Sequence, residues 1–212
     1  EQIEIPNGVK TIGYGAFQGC KALTSITLPE TITDIEERAF YSCSNLKEIT
    51  LPENITRINA STFEDCTGLT KLPITANINR IDNYAFSGCN QISSLVIPEG
   101  VDTIGNYAFE YCGTFTSVHI PNSVTSLSYS SFSNTDIDSL YWNAGQMKYS
   151  PFDLEGANSL DVKYISFGDS ISRIPTEFCG YMQRLTKVDF SEHVTTIGYG
   201  AFSGCSNLTA ID

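Results

Sequence analysis

The residues of this chain best equipped for chemistry are seven cysteines and two histidines, His119 and His193. A thiolate is a nucleophile and a soft-metal ligand, and a neighbouring imidazole would activate it. The spacing argues against both uses. Cys20, Cys43, Cys66, Cys89 and Cys112 recur every 23 residues (43 − 20 = 23). No C-x-x-C pair or Cys/His cluster is therefore present to bind a structural zinc or an iron–sulfur cluster. An odd count leaves at least one thiol unpaired. The six cysteines that share a repeat position, Cys205 included, face one another from separate coils. Coils set apart by a helix spacing of about 8–10 Å cannot be bridged, because a disulfide needs Cα atoms within about 6.8 Å. The expectation is a ladder of buried free thiols packing as small apolar side chains. Cys179, one residue after Phe178, falls outside that ladder and is expected to be the more exposed.

His119 belongs to an outward strand position and the cysteines to the far side of the coil, so no Cys–His dyad is expected. The sequence holds no G-x-S-x-G elbow, no phosphate-binding loop, no G-x-G-x-x-G after a strand and no D-x-D-x-D-G calcium loop. Among the carboxylates, Glu36, Glu37 and Asp82 are expected on crossing or helix segments, and no spacing singles out a catalytic pair. The chain is read as no enzyme, with no catalytic residue, cofactor or metal ligand to assign. Three N-x-S/T tripeptides begin at Asn54, Asn59 and Asn207, and such tripeptides arise by chance in sequence rich in Asn and Thr.

What must position these residues is a repeat. Phe17, Phe40, Phe63, Phe86, Phe109 and Phe132 keep the 23-residue interval, and six positions after each of the first five comes Leu23, Leu46, Leu69, Ile92 or Phe115. A fixed period in the range 20–50 residues is the signature of stacked repeats. The unit reads L-x-x-I-x-L-P-x-x-I-x-x-I-x-x-x-A-F-x-x-C. Ile26 and Leu28 alternate with Ser25 and Thr27, a short strand with two side chains in and two out. Pro29 ends the pairing because it has no N–H to give. Ile32 and Ile35 return to the core on a crossing segment, and Ala39, Phe40 and Cys43 have the spacing of one face of a helical turn. The fold class expected is therefore α/β: a solenoid with a parallel β-sheet on one face and short helical turns on the other. It forms one domain over 1–212, of about nine coils. The chain enters within one repeat and leaves within another, so a piece of a longer protein, or a processed form, is expected.

Some positions depart from the pattern. Pro73 lies inside Leu72-Pro73-Ile74, where it removes a ladder bond and should make that strand irregular. Trp142 takes a Leu position after a one-residue deletion. Register is lost over 143–160, either a functional excursion or a worn repeat, with Phe152 as the stand-in for the Phe anchor. Phe178 to Phe202 spans 24 residues, read as a small insertion.

Net charge is 12 − 24 = −12, which disfavours nucleic acid and anionic membranes as partners. No run of 18 apolar residues exists, so no membrane insertion of this segment is expected. The surface left for a ligand is the outward sheet face. Its first four strands are polar, whereas Val96, His119, Tyr141 and Tyr164 line up on later ones at about 4.8 Å per step. Exposed aromatics on a β-surface anchor ligands or are incidental. These four are the candidate contacts for a peptide or a sugar.

The 23-residue unit with Ala-Phe-x-x-Cys and the Leu-Pro strand exit resembles the BspA-like (Treponema-type) leucine-rich repeat, over most of the chain and with 143–160 departing from it. The resemblance implies a right-handed leucine-rich-repeat solenoid on a secreted or cell-surface bacterial protein. It also implies adhesion to an extracellular or host protein, or to a glycan, and brings no catalytic motif. The function expected is a non-enzymatic binding module working through the parallel-sheet face, as a monomer. The alternative is a spacer or stalk presenting another domain.

Overall fold

The computed structural model describes residues 2–147, 149–152 and 162–212. The chain winds through about nine coils, each laying a strand beside the strand of the coil before. All pairings are parallel and in register. The strands Gln2–Glu4, Ser25–Thr27 and Glu48–Ile49 form a three-stranded sheet; Ser94–Val96, Gly113–Ile120, Thr135–Trp142, Val162–Phe167, Lys187–Phe190 and Ala210–Ile211 form a six-stranded one. The break between them falls at Leu72-Pro73-Ile74, which carries no strand, as the missing Pro73 N–H predicts. A second, narrower ladder runs along the crossing segments, for example Arg57–Ile58, Arg80–Ile81, Thr103–Ile104 and Ser126–Leu127.

Packing follows the repeat. Ile26, Ile49, Leu72, Leu95 and Val118 form one buried row behind the front wall, and Ile35, Ile58, Ile81 and Ile104 form another behind the crossing ladder. Phe17, Phe40, Phe63, Phe86, Phe109 and Phe132 stack along the return side, with ring centroids 5.3–5.8 Å apart. Burying each interior ring contributes roughly 2–3 kcal/mol.

The return side is not helical, which corrects the α/β expectation: no helix occurs among the described residues. Its backbone alternates two kinds of hydrogen bond. The N–H groups of Gly15, Phe17 and Gly19 donate to Glu37, Ala39 and Tyr41 of the next coil, while those of Ala16, Gln18 and Cys20 close turns onto Gly13, Gly15 and Phe17. Aiming every second N–H at the neighbouring coil requires left-handed residues two before and two after the Phe. These are Gly15 and Gly19, Arg38 and Ser42, Ser61 and Asp65, Tyr84 and Gly88, Tyr107 and Tyr111. Helices would hold the coils about 8–10 Å apart; stacked turns let the return side rise at nearly the pitch of the sheet.

The same pitch corrects the reason given for free thiols. Coils this close do not forbid a disulfide by distance, yet none of the seven cysteines is joined in one. From the second coil on, ladder thiols donate back along the stack to a backbone carbonyl: Cys43 to Phe17 at 3.0 Å, Cys66 to Phe40 at 3.1 Å, and Cys89 to Phe63 and Cys112 to Phe86 at 3.3 Å each. Thr135 stands at this position in the following coil and makes the same bond, to Phe109 at 2.7 Å. The position selects a small side chain with a donor. Burial pushes the Cys43 thiol up to about 11 and Cys112 to about 12.

Cys179 is fully buried, against expectation. Its N–H donates to Ala201, and its carbonyl accepts from the Cys205 thiol; both bonds belong to the Phe anchor in other coils. Phe178-Cys179 is thus the Ala-Phe pair with the sizes exchanged, and Met182 fills the cysteine place. Anchor to anchor, Cys179 to Phe202 spans 23 residues, so no insertion occurs here (202 − 179 = 23). Trp142 pairs with Ile120 and Phe167, and meets Phe152 and Phe178 edge-on at 5.7 and 5.1 Å. Phe152 is buried in that cluster, but its N–H turns onto the Ser150 hydroxyl instead of the next coil, unlike that of a Phe anchor. The rest of the irregular stretch, 153–160, lies outside the described residues.

Candidate binding face

Three of the four proposed contacts fall in one row. Strand pairing sets Val96 beside His119 and His119 beside Tyr141. The His119 and Tyr141 rings stack face to face, 4.1 Å apart and 9° from parallel. Tyr164 belongs to the adjacent row, since Tyr141 pairs with Ser166 and Tyr164 with Ser139. It reaches Tyr141 diagonally, edge to face at 5.9 Å. The sequence stripe is therefore a bent ridge rather than a straight line.

Tyr164 continues the ridge into charge. Its hydroxyl donates to Asp189, whose carboxylate also takes the Lys187 ammonium at 3.0 Å. Lys187 in turn reaches Asp212 at 2.9 Å. The Tyr164 hydroxyl and Lys187 hold the Asp189 carboxyl below the usual carboxylate range. Burial, and then the bond to Asp189, raise the Tyr164 phenol. Burial alone lowers His119, which keeps its ring neutral in the stack. Val96 is 65% exposed and Tyr141 37%, so the ridge presents both apolar and polar atoms to solvent. Nothing in the spacing of the sequence ties Asp189 and Lys187 to these aromatics.

Beside the ridge, on the side where the strands exit, runs a groove of about 710 Å³. One bank is Val96, His119, Tyr141, Ser166 and Asp189; the other is built from the exit turns, including Pro98, Glu99, Pro121, Asn143 and Asp169. Pro98 and Pro121, which end the first two of these strands, thus also form part of the wall.

Other clusters carry less. Ser191, His193 and Asp169 meet near the groove end, with the Ser191 hydroxyl 3.1 Å from Nδ1 of His193 and Asp169 3.5 Å from that same nitrogen. A nucleophile relay needs the nucleophile and the orienting acid on opposite ring nitrogens of the histidine base; here both face one, the Ser191 hydroxyl donates to Asp169, and its oxygen accepts the His193 backbone N–H as a turn. Asp82, nearly buried, bridges Arg57 and Arg80 and pins the crossing ladder. The sequon asparagines are structural: Asn54, Asn59 and Asn207 each donate a side-chain N–H to a carbonyl one coil back, at 2.9, 2.7 and 2.7 Å. Asn45 and Asn77 do the same. Among the described residues no group of three His, Cys, Asp or Glu could hold a metal ion, and no helix is long and apolar enough to cross a membrane.

Comparison with known proteins agrees with this geometry. The BspA type leucine rich repeat region matches residues 1–113 and 79–209, in six copies. No curated protein is similar enough in sequence to count as a match. Among solved structures, the chain is similar to a leucine rich cell surface protein from Faecalibacterium prausnitzii A2-165, at 26% identity and a TM-score of 0.53. That likeness covers 100% of this chain and 69% of the other. A leucine-rich repeat protein from Bacteroides ovatus ATCC 8483 is 22% identical, with a TM-score of 0.50 over 98% of this chain and 73% of its own. The pneumococcal vaccine antigen PcpA is 18% identical, with a TM-score of 0.52 over 100% of this chain and 60% of its own. The last two likenesses concern the fold alone.

Proposed function

The chain belongs to the BspA-type leucine-rich repeat family, and from that premise we propose that it is a non-enzymatic binding module of a bacterial cell-surface or secreted protein. It adheres to an extracellular or host macromolecule, as a monomer, through the parallel-sheet face. The observation that carries this reading is the ridge of Val96, His119, Tyr141 and Tyr164 on the face the core does not use. Every other aromatic of the front wall points inward, into packing. The F. prausnitzii relative, described as a cell surface protein, supports the location. The first three strands present Gln2, Glu4, Ser25, Thr27 and Glu48, a polar face that suits holding the module away from its anchor rather than contact.

The test is binding of the wild-type chain, Tyr141→Ala and Tyr164→Ala to immobilised matrix proteins and arrayed glycans. An anchor aromatic at the centre of an interface is worth about 2 kcal/mol or more, roughly 30-fold in affinity. Both rings are outside the core, so circular dichroism of the variants should match wild type. Unchanged affinity in both variants would remove this face from consideration.

A further inference from the structure

Given the sheet-face reading above, on which this rests, we infer that the groove beside the ridge receives an extended peptide segment of a protein partner carrying two basic side chains. Three observations fix that chemistry. The groove crosses five strands, from Ser94–Val96 to Lys187–Phe190, a run of about 19 Å at about 4.8 Å per strand, which holds about six extended residues. Between Glu99 and Asp169 its lining is mainly apolar, with Ile120, Pro121, Trp142 and the His119 and Tyr141 rings, while Val96 sits on the Glu99 coil. Its charge is of one sign: Glu99, Asp169 and Asp189 line it, and no Lys or Arg does.

Asp189 already carries Lys187 and Tyr164. Glu99 and Asp169 are both exposed, and no Lys or Arg among the described residues pairs with either; Asp169 accepts the Ser191 hydroxyl and stands 3.5 Å from Nδ1 of His193, at the rim of the groove. The two acids follow strands three coils apart, about 14 Å, which matches side chains four residues apart on one side of an extended peptide. The occupant is basic, then apolar, then basic. A neutral glycan would use the Tyr141 ring and the hydroxyls of the groove but bring no counter-charge to either acid. The excess of negative charge over the whole chain (net −12) would also draw a cationic segment toward the surface.

The experiment uses the purified 212-residue chain and a peptide array in which the central segment X-Thr-Val-Thr-X carries every residue type at the two X positions. Fluorescence anisotropy is then run on the labelled Lys-Thr-Val-Thr-Lys and Glu-Thr-Val-Thr-Glu peptides. Lys and Arg should dominate both X positions, and binding should weaken as NaCl rises from about 0.05 M to about 0.5 M. Exposed ion pairs are worth about 0.2–1 kcal/mol each, so Glu99→Gln/Asp169→Asn should cost the lysine peptide roughly 2- to 30-fold and leave the glutamate peptide no worse. Equal binding of the two peptides, or no binding of the lysine peptide, would overturn the proposal. So would a lysine peptide indifferent to the double variant. If a neutral glycan or uncharged peptide binds and Tyr141→Ala abolishes it, the sheet face stands and the basic-peptide assignment falls. If ligands bind and survive both Tyr141→Ala and the double variant, both readings fall.

Discussion

Removing the ring of Phe86 tests whether the coils are held by a continuous aromatic column. Phe86 is fully buried, with Phe63 stacked 5.5 Å away on one side and Phe109 5.8 Å away on the other. Transfer of the side chain accounts for about 2–3 kcal/mol, and each stacked neighbour for about 0.5–1.5 kcal/mol more. Phe86→Ala should therefore cost about 3–5 kcal/mol, the usual range for Phe→Ala in a core. For a chain of this size that lowers Tm by about 6–20 °C. Phe17→Ala is the internal control. Its ring is only partly buried and has one stacked neighbour, Phe40 at 5.4 Å. Because a repeat stack is stabilised coil against coil, an interior cavity weakens two interfaces and a terminal one weakens one, so the control should cost about half as much. Urea and thermal unfolding of both variants, followed by far-ultraviolet circular dichroism, give the comparison. Equal losses at the two sites, or a loss below about 1 kcal/mol at Phe86, would refute the column.

Three further outcomes follow from the packing. Phe178→Ala alone should cost about 3–5 kcal/mol, whereas Phe178→Ala/Cys179→Phe restores the Ala-Phe order and should recover most of it; a double variant no more stable than the single one, by urea midpoint, would deny the exchange of sizes. Cys66→Thr keeps the donor to the Phe40 carbonyl and Cys66→Val removes it at the same volume, so Val should be the less stable by about 0.5–1.5 kcal/mol. Above pH 9.0, the ordinary thiol value, an unfolded cysteine loses its proton while folded Cys43 holds it to about 11 and Cys112 to about 12. The unfolded state then binds fewer protons, so stability should fall as pH rises through that window, and replacing Cys43, Cys66, Cys89 and Cys112 by Thr should flatten the fall in urea melts.

Positions that repeat were legible in the sequence because packing imposes the same demand in every coil. The inward strand rows and the Phe column came from spacing, and the break at Pro73 from proline's missing N–H. Local conformation on the return side did not, since Ala-Phe-x-x-Cys has the same apolar spacing whether the backbone forms a helical turn or a chain of turns. The left-handed residues that decide the matter include Arg38, Ser42, Tyr84 and Tyr107, whose identities do not announce such a conformation as Gly15 and Gly19 do. Cys179 misled for a related reason. The eye aligns Phe with Phe, but the column is aligned by backbone bonds, and the large side chain had moved one place back.

The binding face shows the complementary effect, because outward positions owe nothing to the repeat. Tyr141 and Tyr164 are 23 residues apart, so a constant period places them side by side; the pairing steps are 22 residues from Ile120 to Trp142 and 25 from Trp142 to Phe167, which shifts Tyr164 into the next row. That shift has a chemical result. Tyr164 no longer stacks as a third ring and instead leans across to Asp189, joining the aromatic row to the Lys187 ion pair. The ridge also sits where the wall is widest, because Gly113–Ile120 and Thr135–Trp142 run for eight residues each while the first strands run for two or three. Side chains on long, doubly paired strands are held in place before any partner arrives, which lowers the ordering cost of binding. The irregular coils are thus where the wall becomes both rigid and chemically distinct, and a recognition surface needs the two together.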